Sequence, residues 1–282
     1  MNRLGPDAVN RGLALIRRCT YLSKGTGEIL FLKAKTYMKW LLQNVRQRGW
    51  FAIKNPGYVL HAMVNELTLA DERYLARLTG ASPRQIRNYL DEPINTPAFA
   101  AHLRSAHEQF RTLSIESADL FAKKILNQYA AVRALAPDCI VETGIANGVS
   151  SSYLLLALQK NGHGVLHSVG LADPAFLPAA KELGWLVPKW LRASWQVHTG
   201  DTRDLLPDLF AKLGSVDVFI HDSLHSYDHM MWEFDTCYPH LRFGGLLFSD
   251  DALWNDAFHG FARKVSSPEA RILRGVGFLR KT

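Results

Sequence analysis

Apolar positions along this chain fall into two regimes. In the first half they recur every three or four residues, as on one face of a helix. Leu30, Phe31, Ala34, Tyr37, Met38, Leu41, Leu42 and Val45 form such a stripe, with Lys33, Lys39 and Gln43 away from it, which predicts a basic amphipathic helix over 28–45. Residues 60–92 predict two or three short helices, with Gly80 as a turn and Ser82 as a cap. Asp91-Glu92-Pro93 and Asn95-Thr96-Pro97 then break the pattern, and a further helix is predicted over 114–135. In the second half short apolar runs alternate with amphipathic segments. Strands are predicted at Asp138–Thr143, Gly164–Val169, Trp195–Thr199, Val216–His221 and Gly245–Ser249, with helices running through Gln159 and near 227–240. Arg271–Leu273 and Val276–Leu279 read as a closing antiparallel pair. The expectation is an α/β fold: a seven-stranded, mostly parallel sheet with helices on both faces over 113–282, preceded by a basic helical module over 1–112.

Composition narrows the class. With 48% hydrophobic and 21% charged residues among 282, the chain reads as globular. No run of about 18 apolar residues is free of charge, so no membrane-spanning helix is expected. The N-terminal stretch has a broken apolar run and no cleavage pattern, which argues against a secretory signal. Cys19, Cys139 and Cys237 are too widely spaced for a disulfide framework or a cysteine-based zinc site, and a reducing cytoplasm is the simplest compartment. Charge is uneven. Of the net +7, residues 1–60 carry eleven Lys/Arg against two acids, Asp7 and Glu28, a local +9. Such an arm can meet nucleic acid, an anionic membrane or acidic substrates. The 28–45 helix reads first as docking on its own protein or on a second subunit in a homo-oligomer, and second as a peripheral membrane contact. Residues 75–90 resemble a helix-turn-helix carrying Arg84, Arg87 and Asn88, but Gly-Ala-Ser-Pro punctuates any helical hairpin. Without a paired motif, nucleic acid is not an expected partner.

Open α/β sheets bind ligands beyond the carboxyl ends of their strands. The first such crossing is Glu142-Thr143-Gly144-Ile145-Ala146-Asn147-Gly148, followed by Ser150 and Ser151 at a helix start. The glycines allow a tight turn and close approach of a ligand, and free N–H groups at the helix start favour an anion. The G-x-x-x-G spacing is not that of a dinucleotide fingerprint, which disfavours a dehydrogenase. Asp222 follows the fourth strand, and Asp250 and Asp251 follow the fifth. Carboxylates gathered at one edge repel unless protonated or bridged by a cation, and all-oxygen ligation suits Mg²⁺, Mn²⁺ or Ca²⁺; helix capping is the plainer reading of any one of them. His225, three residues after Asp222, is expected in the same crevice as a proton acceptor. His221 is expected to face elsewhere, in a structural place or, on the family resemblance given below, near an adenine. His229 is expected on the helix surface, with Trp232, Glu233 and Phe234 packing that helix or lining the site. Asn255 and Asp256 read equally as ligands or caps.

The runs VETGIANGVSSSYLLLAL, GDTRDLLPDL, DVFIHDSLHSYDHMMWEF and FGGLLFSDDALWNDAF resemble class I S-adenosylmethionine-dependent methyltransferases, on a branch similar to metal-dependent macrolide-sugar (macrocin-type) O-methyltransferases and, more distantly, catechol O-methyltransferases. The resemblance covers about 125–265 and implies a Rossmann-like domain. It implies S-adenosylmethionine contacts at Glu142, Thr143, Gly144, Asn147, Gly148, Ser150 and Ser151, with Asp201 and Thr202 near the adenine. It implies a divalent cation, Mg²⁺ by expectation, on Asp222, Asp250 and Asp251, and His225 as general base toward a small hydroxylated acceptor. One position departs. Where the family has a ribose-binding acid after the second strand, this chain has Gly170, with the nearest acid at Asp173. That contact therefore passes to Asp173, to a backbone group or to water, or is lost. The reading is a metal-assisted O-methyltransferase of a sugar or polyhydroxylated natural product; the alternatives are a non-catalytic relative of the fold and a DNA-binding regulator.

Overall fold

The computed structural model describes residues 70–113, 122–173 and 177–282. The amphipathic stretch 28–45 and the basic arm lie outside them. Four helices come first: α1 (Ala70–Thr79), α2 (Pro83–Asp91), α3 (Pro97–Thr112) and α4 (Lys123–Leu135). The sheet follows as β1 (Cys139–Thr143), β2 (Val165–Gly170), β3 (Trp195–Thr199), β4 (Val216–His221), β5 (Leu241–Ser249), β6 (Arg271–Leu273) and β7 (Val276–Arg280). Its order is β3-β2-β1-β4-β5-β7-β6; β1 to β5 run parallel and β7 pairs antiparallel with β5 and β6. Helices α5 (Val149–Asn161), α6 (Thr202–Leu213), α7 (Tyr227–Cys237) and α8 (Ala257–Lys264) make the crossovers and flank the strands. Between β2 and β3 the described residues hold only a 3₁₀ turn, Lys189–Ser194.

Both faces of the sheet are covered, which is why its inner strands are apolar without alternation. Ile140, Leu166, Val218 and Leu246 enter one core with α1 to α5; Val141, Val169, Phe219 and Leu247 enter the other with α6, α7 and α8. Helix α5 is apolar around most of its circumference, with Tyr153–Leu158 all buried, and Gly162 stops it with a left-handed C-cap.

Among the described residues, helices α1 to α3 pack on the sheet. Tyr74, Leu75, Ile86, Leu90, Phe99, Leu103 and Phe110 are buried in the same core as the strands, and the compact unit begins at Asp71 rather than at residue 113. Tyr74 Oη donates to the carbonyls of Phe278 and Glu269, fastening α1 to the far end of the sheet. The hairpin of α1 and α2 keeps its sequence-predicted punctuation: Gly80 has φ +80° and Ser82 forms a capping box with Gln85. Its apolar face, through Ile86 and Leu90, is spent on this core. The helix expected over 114–135 is Lys123–Leu135, with 114–121 outside the described residues.

Candidate active site

Strand register gathers the site. Thr143 pairs with His221 across β1 and β4, and His221 pairs with Ser249 across β4 and β5. The residues that follow, Asp222 and Asp250, therefore leave the sheet side by side. Asp222 N–H donates to the Thr143 carbonyl and Asp250 N–H to the His221 carbonyl, at 3.1 and 2.8 Å. Asp251 then turns with φ +46°, a left-handed conformation that Asp tolerates better than most residues.

The loop after β1 is wound tightly. Gly144, Ala146 and Gly148 all have positive φ, at +83°, +40° and +83°. Ala146 has no glycine's freedom, so this turn stores strain. The two glycines admit protein backbone, where the sequence suggested a ligand. A Cβ on Gly144 would lie 1.8 Å from the Asp222 carbonyl oxygen, and one on Gly148 would lie 2.7 Å from Gly184 Cα. The segment after β2 clasps the same loop: Gly184 N–H donates to the Ala146 carbonyl, Leu186 N–H to the Asn147 carbonyl and Trp185 Nε1 to Asn147 Oδ1. Asn147 is thus engaged by its own protein.

Glu142, next to last in β1, lies fully inside. Its Oε1 accepts from Ser151 Oγ, while Oε2 is buried with no hydrogen-bond partner. Burial pushes its carboxyl up to about 8 against the hydrogen bonds from Ser151 and Ser168. Gly148 caps α5 without a side-chain acceptor, so the N–H groups of the first turn, where half-buried Ser150 lies, have no side-chain cap. Thr143 is turned the other way, its Oγ1 donating to Glu233 Oε2. Asp201 is the N-cap of α6, accepting from Arg203 N–H, and Thr202 Oγ1 meets His229 Nε2 at 3.2 Å.

Asp222, Asp250 and His225 form the second half of the site. His225 Nε2 lies 3.7 Å from Asp222 Oδ1 and, although buried, has no hydrogen-bond partner. Burial and the neighbouring His221 hold its imidazole below the usual range, so it is neutral at physiological pH. Burial and the Asp250 charge raise the Asp222 carboxyl well above a normal aspartate. Lys124, from the first turn of α4, completes the cluster. Its Nζ contacts both oxygens of Asp250, at 2.7 and 3.1 Å. Burial disfavours that ammonium, but the Asp250 charge and hydrogen bond outweigh it and raise its pKa. The donor set is all oxygen, as a hard divalent ion requires. Among the described residues, however, no three ligating side chains converge on one point, and a cation already sits on Asp250.

The helix after β4 differs from its sequence reading at one residue. His229 is buried, and with His221 it grips Glu233. Burial alone would raise the Glu233 carboxyl, but the hydrogen bonds from His221 and His229 drive it far below its ordinary range. His221 is fully buried, with Nδ1 on Glu233, Nε2 without a hydrogen-bond partner, and its ring edge-on to His225 at 5.3 Å. Asn255 Nδ2 donates to the His225 carbonyl and ties the loops after β4 and β5 together. Asp256 is the N-cap residue of α8 without a cap hydrogen bond, and pairs with Arg263. Three exposed apolar side chains, Leu224, Leu253 and Trp254, belong to these same two loops, and the Trp254 ring lies 6.2 Å from that of His225. The site residue the sequence pattern missed altogether is Lys124.

Gly170 closes β2 where the resemblance expects an acid. A Cβ there would meet Ile145 Cγ1 at 3.1 Å and Ile145 N at 3.2 Å, so the β1 loop has moved into the space a side chain would need.

Residues 141–252 match the model of a methyltransferase-domain family. Demethylmacrocin O-methyltransferase of Streptomyces fradiae is 34% identical over 83 residues, which are 29% of this chain and 20% of that protein. The chain therefore aligns with about a fifth of that relative's length. Among solved structures, a protein of Klebsiella pneumoniae assigned as an O-methyltransferase superposes with a TM-score of 0.50 at 16% identity, over 64% of this chain and 90% of that one. TomG of Streptomyces achromogenes, an O-methyltransferase of tomaymycin synthesis solved with S-adenosylmethionine, gives 0.49 at 18% identity, over 64% and 90%. Residues 141–252 thus resemble a methyltransferase domain, and the described residues have the Rossmann-like fold of such proteins.

Proposed function

We propose that the protein is an S-adenosylmethionine-dependent O-methyltransferase acting on a hydroxyl of a sugar or polyhydroxylated small molecule. The observation that carries this reading is a pair of buried, unpartnered atoms at the carboxyl edge of the sheet, Glu142 Oε2 and His225 Nε2. The protein buries both and satisfies neither, which is the state of a site awaiting ligands. The relation to a demethylmacrocin O-methyltransferase supports oxygen as the methyl acceptor.

The residues divide the work. Glu142, protonated in the empty site, would ionise as the cofactor's ammonium arrives and pair with it, and the first turn of α5, with Ser150, would receive the cofactor's carboxylate. S-adenosylmethionine, when bound, supplies a methyl group on a sulfonium. His225 takes the acceptor's hydroxyl proton at Nε2 as that oxygen bonds to the methyl carbon and the carbon–sulfur bond breaks. The products are the methyl ether, S-adenosylhomocysteine and an imidazolium. A neutral His225 is in the right state to begin. The divalent ion expected on Asp222, Asp250 and Asp251 is not part of this reading, because among the described residues these side chains do not converge and Lys124 already pairs with Asp250.

Calorimetric titration with S-adenosylmethionine and S-adenosylhomocysteine is the test. Micromolar binding is expected, and His225→Ala should then lose about 10²–10⁴ in turnover with cofactor affinity near wild type. Absence of binding at millimolar ligand would overturn the reading in favour of a non-catalytic relative of the fold, which Gly170 and its Ile145 contact would then explain.

A further inference from the structure

As His225 draws the proton from an acceptor hydroxyl, negative charge builds on the oxygen. A fixed donor or cation aimed at that oxygen lowers the barrier. Lys124 is the cation at hand. It comes from the first turn of α4 and reaches Asp250 across 126 positions of sequence. Its Nζ contacts both oxygens of that carboxylate, at 3.1 and 2.7 Å. Those contacts engage at most two of the three N–H donors of an ammonium, so one remains for a ligand. Register fixes where the ammonium stands. Asp222 and Asp250 leave β4 and β5 side by side, and His225 Nε2 lies 3.7 Å from Asp222 Oδ1. Base and ammonium thus hang on neighbouring carboxylates, within electrostatic reach of one another. The Lys124 side chain is 35% exposed against 11% for that of Asp250, so a ligand in the crevice can reach the first while the second stays behind it.

We propose that Lys124 is a catalytic residue of this site: its ammonium, held in place by Asp250, donates to the acceptor oxygen and supplies the positive charge there without a divalent ion. The proposal rests on the transferase reading above. Lys124 keeps its proton throughout. The hydroxyl proton passes to His225 Nε2, the oxygen bonds the methyl carbon and the carbon–sulfur bond breaks. One positive charge therefore moves from the sulfonium to the imidazolium, and none is created. The two carboxylates divide between the two cations: Asp222 faces the imidazolium that forms, and Asp250 orients the ammonium that is already present. An ammonium set in advance needs no reorganisation at the moment of transfer, and in a half-buried crevice it acts more strongly on the oxygen than it would in water.

Binding of 4-nitrocatechol reads this without turnover, because the probe's absorbance reports whether its hydroxyl is ionised. In EDTA, with and without S-adenosylhomocysteine, wild type should bind the phenolate about tenfold more tightly than the phenol, which lowers the bound probe's pKa by about one unit. Lys124→Met keeps the length and apolar stem of the side chain, removes its charge and should lose that preference. Lys124→Arg keeps the charge and should retain most of it. Lys124→Met combined with Asp250→Asn removes the pair together, so no buried carboxylate is left unpaired, and should show the same loss. Circular dichroism of each variant verifies folding. Replacing EDTA by millimolar Mn²⁺ should leave wild type unchanged. A phenolate preference that survives in folded Lys124→Met and in the double variant overturns the proposal. So does a preference that appears only with Mn²⁺, or none in wild type. The S-adenosylhomocysteine titration reports the transferase reading separately, so either claim can fail alone.

Discussion

Two carboxylates, Glu142 and Glu233, are equally buried and opposite in state. Glu233 is surrounded: Thr143 Oγ1 and His221 Nδ1 donate to Oε2, and Ser223 Oγ and His229 Nε2 donate to Oε1, at 2.6 to 3.0 Å. It stays ionised against the penalty of burial because these donors replace water. Glu142 has serine hydroxyls alone, and one oxygen has nothing. Burial there wins, and the proton is held up to about pH 8. Depth inside the protein therefore says little about role; the completeness of the hydrogen-bond shell says more. Both oxygens of Glu233 are satisfied by the protein, although His221 Nε2 behind them is not, and the residue ties α7 to the turn that carries Asp222. The Glu142 end of the loop is left for something else to finish.

The sharpest way to break this contrast is Glu233→Ala. It would leave two buried histidines, a serine and a threonine without their shared acceptor. Removing one partner of a buried ionic network costs about 3–5 kcal/mol, so a large fall in the denaturant midpoint is expected. A loss below about 1 kcal/mol would mean that the cluster is replaceable by water and that the contrast with Glu142 is not one of structural role.

The sequence makes part of this legible. Strands could be placed because each short apolar run is bounded by Gly, Pro or a charged turn. The edge residues Asp222, Asp250 and His225 followed at once, because in a parallel sheet the residue after each strand lies at the ligand edge. What escaped was long-range partnering. His229 read as surface because its neighbours Asp228 and Trp232 gave no apolar stripe; the available clue was Glu233 four positions on, an i,i+4 pair on one helical face. Lys124 could not be found, since nothing local announces that the first turn of α4 meets the end of β5. The amphipathic helices over 70–112 showed that they had a face to bury, but not that the sheet would be its partner. Asp201, expected near an adenine from the resemblance, also caps the helix that follows it.

Glu142→Gln sharpens the comparison from the other side. The native carboxyl holds its proton to about pH 8, while the unfolded chain releases it near the usual value of 4.5. Between those values the native state binds more protons than the unfolded one, so stability falls as pH rises, and the loss is complete only above pH 8. Glutamine does not titrate. The variant should match wild type near pH 4.5 and exceed it by a few kcal/mol at pH 9, read by denaturant unfolding at both values. Parallel curves would place Glu142 among ordinary satisfied carboxyls. The same variant should weaken S-adenosylmethionine binding, because the cofactor's ammonium loses its partner.

The smallest effect on stability belongs to Trp254, and it tests whether the open side is a ligand site at all. Its side chain is 73% exposed, with Leu253 and Leu224 similarly bare beside it, and its ring faces His225 at a 31° tilt. Apolar side chains exposed on the two loops around a candidate base point to a surface meant to be covered. An indole offers an acceptor a flat apolar face on which a ring can stack while a hydroxyl reaches His225. Trp254→Ala removes little packing, so stability should change by no more than about 0.5 kcal/mol. Acceptor KM should rise severalfold, with cofactor affinity unmoved, because the ring is placed to hold the acceptor and not the sulfonium. A fall in stability above about 1 kcal/mol would make Trp254 a packing residue. An unchanged KM for a turned-over acceptor would move the acceptor away from the Leu224–Trp254 rim, and the contrast between a finished and an open region would then stand on Glu142 and His225 alone.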